Sequence, residues 1–291
     1  MNTRKIEVVI APPKAHYVGD GFRVHNFIPT AYHLDNQRMD PFILLDYNSK
    51  FYFPPSDKPL GVGVHPHRGF ETVTIAYHGR VAHHDSAGNS GVIAEGDVQW
   101  MTAASGILHK EFHEMKFSQT GGVFQMVQLW VNLPAKYKMS PPKYQGIVNK
   151  DINKYFLPGD RGVIEVIAGH YKDVKGVAST FTPIELQNCK FNKGAKANFP
   201  FPSNFNTALL VIEGVVKINE TEIASDHFVL FENQGESFSV QAIENAVVLV
   251  LSGKPINEPI ASQGPFVMNT RSEIIKAIED FNSGKFGYLE D

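Results

Sequence analysis

Glycine and proline punctuate this chain at short intervals, 24 and 18 of them in 291 residues, and that spacing limits what it can fold into. The runs between them are short and rich in Val, Ile, Phe, Tyr and Thr, as in Glu71–Tyr77, Phe124–Leu133, Gly162–Ile167, Ala208–Ile212 and Ala246–Leu251. Such runs bounded by turn residues predict strands, and their number predicts an all-β sandwich or barrel. The 43% hydrophobic content is enough for a core, and the length suits two domains or one large all-β domain. Helical periodicity is clear only over Ser272–Asn282. There Thr270 or Ser272 can cap, Ile274, Ile275, Ile278 and Phe281 form an apolar face, and Gly284 supplies a stop.

Pro134–Lys150 carries prolines and lysines without strand alternation and reads as a surface linker. It divides the chain into domains 1–134 and 151–291 with a linker over 135–150, the helix falling in the second domain. A weak repeat spans the break. Thr74–Ala82 and Leu210–Ile218 share the pattern of apolar strand, glycine turn (Gly79, Gly214) and strand, and each continues to another strand near Gly96–Met101 and Asp226–Phe231.

A formal charge of −3 argues against a nucleic-acid-coating protein. The single cysteine, Cys189, excludes an intrachain disulfide and reads as a small buried thiol. The apolar run Ile6–Ala11 is interrupted by Glu7 and is too short for a signal-peptide core, and no window approaches a membrane span. The expectation is a soluble cytoplasmic protein.

Chemistry concentrates in two clusters. His65 and His67 differ by two, so on a strand both imidazoles share a face, and Pro66 between them suits an edge. His109 and Glu111 are spaced the same way. Facing strands would give three imidazoles and one carboxylate, a donor set for iron or manganese among other transition metals. The remaining histidines lack a partner at i+2: His16, His25, His33, His113, His170 and His227 read as surface or hydrogen-bonded residues, and His78, His83 and His84 as exposed around the Gly79 turn. Arg68 should point away from the imidazoles, as a surface charge. Phe53, Val64, Phe70, Met101, Phe124, Met126 and Gln128 are candidate cavity walls, each more simply read as core.

HPHRGFETVT followed by DSAGNSGVIAEGDVQWMTAASGILHKE resembles the cupin signature in its pirin form, and QLWVNLPAKYKMSPPKYQ and GPFVMNTRSEIIKAIEDFNSGKFG resemble further pirin segments. The resemblance runs from about Gly19 to Gly287. It implies two cupin (jelly-roll β-barrel) domains and one metal, Fe(2+) first with Mn, Co, Ni, Cu or Zn as substitutes, held by His65, His67, His109 and Glu111. The general cupin motif would instead nominate Glu71, which leaves it as a ligand, an orienting group or a bystander. Ala104 stands where the family has glycine. A gap-free alignment on Gly79 and Gly214 puts Pro200 and Pro202 opposite His65 and His67, so the second domain is expected to lack a metal.

The resemblance also implies a function. Family members cleave the flavonol quercetin with O2, the quercetin 2,3-dioxygenase reaction, and Glu111 would then be the base for the 3-hydroxyl. Others are linked to transcriptional co-regulation through iron oxidation state, which would make this a protein-binding module without turnover. An isomerase on the same fold is a third reading. The expected partners are a small aromatic substrate and O2, with a protein partner under the regulatory reading, and neither nucleic acid nor membrane.

Overall fold

A computed structural model describes residues 2–32 and 34–290; His33 lies outside them. Contacts divide the chain into two compact units. The first comprises Lys14–Gln37, Pro41–Asn149 and the chain from Ile256 onward; the second comprises the chain up to Pro13, Arg38–Asp40 and Lys150–Pro255.

Each unit is built from a seven-stranded and a four-stranded sheet, with a two-stranded ribbon besides. In the first, the larger sheet runs in the order Lys143–Ile147, Val98–Thr102, Phe70–His78, Gly122–Asn132, Phe42–Phe53, Phe22–Ile28, His16–Val18, and the smaller Gly61–His67, Ile107–His113, Val81–Asp85, Ser90–Ile93. In the second, the larger sheet runs Ile6–Ile10, Phe228–Phe231, Asn206–Glu213, Ala246–Gly253, Ile184–Phe191, Gly162–Ala168, Asn153–Phe156, and the smaller Lys196–Pro200, Ser237–Ala242, Val215–Ile218, Thr221–Ala224. These are two cupin-type domains, and the repeat is visible in them. Phe70–His78, Val81–Asp85 and Val98–Thr102 hold the same places as Asn206–Glu213, Val215–Ile218 and Phe228–Phe231. No helix among the described residues is long and apolar enough to cross a membrane.

The domain boundaries differ from those read in the sequence, because strand exchange between halves leaves no local signal. Ile6–Ile10 pairs with Phe228–Phe231 and joins the second unit. Within the expected linker, Lys143–Ile147 pairs with Val98–Thr102 as the edge of the first unit's sheet. Lys138 of the same stretch is fully buried. Its Nζ donates to Gly69 O at 2.7 Å, Asn132 Oδ1 at 2.6 Å and Val267 O at 2.9 Å, tying the turn after His67 to the C-terminal strand Phe266–Met268.

The terminal helix, Arg271–Asn282, belongs to the first unit. Thr270 and Glu273 cap it reciprocally. Its buried face is Ile274, Ala277 and Asp280, with Ile278 partly covered. Ile275 is 51% and Phe281 37% exposed, so the expected apolar face is turned toward Ala277 and Asp280. That rotation is set by Arg68, which is buried and not a surface charge. It donates to Asp280 at 3.0 Å and to Ser105 O at 2.7 Å, and lies 4.7 Å over the Phe286 ring.

In the second unit the interior between the sheets is filled by phenyl rings, Phe199 and Phe231 each stacking on Phe238. Phe199 and Phe201 are the inward residues, and Pro200 and Pro202 are exposed. The gap-free alignment is therefore one residue out of register there, which exchanges the two faces of the strand. Cys189 is buried in this core, and burial pushes its thiol well above its usual value.

Replacing Lys138 by Met leaves two buried carbonyls and the Asn132 amide oxygen without their donor and should cost about 3 kcal/mol or more, read by urea denaturation. A second prediction concerns Glu185. Burial raises its carboxyl to about 7, against a hydrogen bond from the His170 N–H. A raised carboxyl favours the folded state below the unfolded value of 4.5, and that contribution disappears as pH rises through 7. Wild type should lose roughly 1 kcal/mol relative to Glu185→Gln between pH 5 and about 8, measured by chemical denaturation across that range.

Candidate metal centre

Gly61–His67 is the edge strand of the smaller sheet, which accommodates Pro66. It pairs antiparallel with Ile107–His113, placing His65 directly opposite His109. Ring centroids are 4.9 Å apart for His65 and His67, 4.2 Å for His65 and His109, and 4.6 Å for His67 and His109. One nitrogen from each ring lies within 4.8 Å of the others, in the one such group of three among the described residues.

The register slips by a bulge between His109 and Glu111, so that Glu111 faces Val62. The extra residue lies on Gly61–His67; Ile107–His113 keeps regular register with Val81–Asp85, so strand alternation carries Glu111 to the face of His109, where it lines the same cavity as His65 and His67. Its carboxylate accepts from Thr74 Oγ1 at 3.3 Å and Gln128 Nε2 at 3.0 Å. Glu111 does not join the close group of three. Burial raises its carboxyl to about 7, against those two hydrogen bonds. Glu71 is buried away from the cavity lining, accepts from Thr102 Oγ1 at 2.7 Å, and is raised to about 7 by burial.

Burial lowers the His65 imidazole and puts His67 and His109 well below their usual value. All three rings are therefore neutral at pH 7. His65 Nδ1 contacts Gly63 O at 2.8 Å; a carbonyl only accepts, so Nδ1 carries the proton and Nε2 keeps its lone pair. Neither nitrogen of His109 has a hydrogen-bond partner, nor has Nδ1 of His67. Orphaned nitrogens on buried rings are costly, and a cation shared among them removes that cost. By this test the residues fit a transition-metal ion.

The cavity beside the rings has a volume of about 350 Å³. Val18, Phe22, Val24, Val62, Met126, Trp130 and Pro265 form its apolar walls, and Asp46, Asn48, Gln128 and Glu111 its polar groups. Of the walls expected from sequence, Met126 and Gln128 are present. Phe53 and Phe124 pack in the core beside Phe22, while Val64, Phe70 and Met101 sit in other apolar clusters. The i, i+2 alternation of Asp46 with Asn48, and of Met126, Gln128 and Trp130, was the signal for the missed residues.

Among the other histidines, His83 departs from the expectation of exposure. It is 1% exposed, stacks on Tyr144 with centroids 5.0 Å apart, and meets its hydroxyl at 2.6 Å. The strand carrying it pairs with Ile107–His113, which turns it inward. His84 is exposed and His78 half-buried, near Glu95. His25 meets Ser49 Oγ at 2.9 Å, His113 meets Gly21 O at 2.8 Å, and His227 meets Ser225 O at 2.9 Å. His16 and His170 are exposed. Ala104 has φ 42°, a conformation that suits the glycine its resemblance to the family leads one to expect.

Two cupin-type domains, one of them enclosing three convergent imidazoles beside an apolar cavity, define the class as a double cupin with a candidate metal centre. The chain belongs to the pirin family: it matches Pirin over residues 21–131 and the Pirin C-terminal cupin domain over residues 186–287. A Pseudomonas aeruginosa protein with a provisional quercetin 2,3-dioxygenase name is 44% identical, over 97% of this chain and 98% of its own. A pirin-like protein of Solanum lycopersicum is 36% identical over 94% of this chain and 90% of its own. The crystal structure of quercetin 2,3-dioxygenase from Acinetobacter baumannii superposes with a TM-score of 0.92 at 47% identity, covering 99% and 100% of the two chains.

Metal analysis of purified variants checks the site. His109→Ala should lose the stoichiometric metal of wild type, and Glu111→Gln should weaken metal affinity by at least about 10-fold, while Glu71→Gln keeps its metal. Metal loss in Glu71→Gln with retention in Glu111→Gln would reverse the carboxylate assignment.

Proposed function

We propose that this chain is a metal-dependent dioxygenase of the quercetin 2,3-dioxygenase type. His65, His67, His109 and Glu111 hold the metal, with Fe(2+) the first candidate. The observation that carries this reading is the juxtaposition of three convergent neutral imidazoles, those of His67 and His109 with unpartnered nitrogens, and a largely apolar cavity of about 350 Å³. Its size and walls suit a flat aromatic molecule. The names of the Pseudomonas and Acinetobacter relatives point the same way.

When bound, the metal would supply Lewis acidity for a flavonol 3-hydroxylate and redox access to O2. The chain's own residues do the rest. Thr74 and Gln128 fix the Glu111 carboxylate by donating one hydrogen bond to each oxygen. That carboxylate is the base that takes the proton of the 3-hydroxyl. His65, hydrogen-bonded to Gly63 O, keeps a fixed ring orientation. Phe22, Val24, Met126 and Trp130 exclude water from the ring system.

Iron-loaded wild type should consume quercetin in an O2-dependent reaction releasing carbon monoxide, with no loss under argon. His65→Ala should reduce the rate at least 100-fold. Iron bound at full stoichiometry with no quercetin consumption would refute the dioxygenase reading.

A further inference from the structure

One polar side chain of the cavity has no partner and no part in the chemistry above. Asn48, on the strand Phe42–Phe53, is 1% exposed and lines the cavity that His65, His67 and Glu111 line. Neither its Nδ2 nor its Oδ1 has a hydrogen-bond partner. The other polar groups of that wall are paired. Asp46 accepts from Asn26 Nδ2 at 2.7 Å, and Gln128 donates to Glu111 at 3.0 Å. A buried amide with nothing to bond is unfavourable and rare in native proteins. Leu or Met would fill the same volume against Met126 and Phe22 without that cost, so packing alone does not account for an amide there.

Register fixes its place. Asp46 pairs with Gln128 and Asn48 with Met126. At about 3.4 Å per residue, Asn48 stands about 7 Å along the strand from the Asp46–Gln128 pair that adjoins Glu111. That is the scale of a fused aromatic ring system. A carboxamide offers a donor and an acceptor together, and a phenolic hydroxyl both accepts and donates. The χ2 torsion of Asn is soft, so the amide can turn to a ligand without moving the strand.

We propose that Asn48 is the specificity-determining residue of this cavity, selecting flat aromatic ligands that carry a second oxygen substituent, a hydroxyl above all, at the end away from the imidazoles. The proposal rests on the dioxygenase reading for the ligand class. A ligand with carbon at that position leaves the amide unpartnered and is rejected; a ligand with hydroxyl there satisfies both amide atoms. A site built to bond a hydroxyl discriminates far more strongly than one that merely accommodates it.

The test is an anaerobic titration of metal-loaded wild type and Asn48→Leu with quercetin and with 3-hydroxyflavone, which keeps the 3-hydroxyl and 4-carbonyl but lacks the other hydroxyls. Binding is read from ligand absorbance, so no turnover is needed. Metal content and melting temperature establish that the variant is folded, and Asn48→Ser serves as second variant should the leucine not fold. Wild type should prefer quercetin, and the ratio of the two dissociation constants should fall by at least about 10-fold in Asn48→Leu, with 3-hydroxyflavone binding tighter than to wild type. Asn48→Ser, which keeps a hydroxyl, should retain part of the preference. An unchanged ratio in the folded variants overturns the role of Asn48 and leaves the dioxygenase reading standing. Failure of wild type to bind either flavonol overturns both.

Discussion

Three imidazoles packed side by side, those of His67 and His109 buried and that of His65 partly so, are the constraint on which the rest of the first unit depends. Desolvation keeps them neutral, and His67 and His109 retain nitrogens that no protein group satisfies. A metal ion held by the three rings would take those lone pairs. The same desolvation that costs stability without metal therefore favours metal binding, since no proton has to leave before an imidazole can coordinate.

Holding the rings in place requires support from distant chain segments. Arg68, immediately after His67, is pinned to Asp280 of the terminal helix and to Ser105 O. Its backbone pairs with Pro265 O and the Val267 N–H, and Pro265 forms part of the cavity wall. Lys138 bonds Gly69 and Val267 together. The C-terminal segment thus reaches the strand that carries His65 and His67, and the buried cations around it make that strand a rigid platform. The second unit shows the alternative use of the same scaffold. Its inward positions carry Phe199 and Phe201, and rings fill the space that the first unit leaves open.

Much of this was legible from the residues. The i, i+2 pairs His65/His67 and His109/Glu111 carry their own geometry, because strand alternation alone puts each pair on one face. The repeat around Gly79 and Gly214 was readable for the same reason. What sequence did not show depends on long-range pairing. Ile6–Ile10 carries no sign that its partner is Phe228–Phe231. Lys138, in a lysine-rich and proline-rich stretch, has the composition of a surface linker and is buried by contacts some 70 and 130 residues away. Arg68, Asp280 and His83 are likewise polar residues whose burial follows from partners remote in sequence. That Glu111 lines the cavity while Glu71 is buried away from it has no compositional mark.

The central claim is that one metal ion sits among His65, His67, His109 and Glu111. X-ray absorption spectroscopy of the iron-loaded protein tests it most directly. The account predicts scattering from three imidazoles and a carboxylate oxygen around a single iron. Iron surrounded by fewer than three imidazoles, or full retention of iron in His109→Ala, would contradict it.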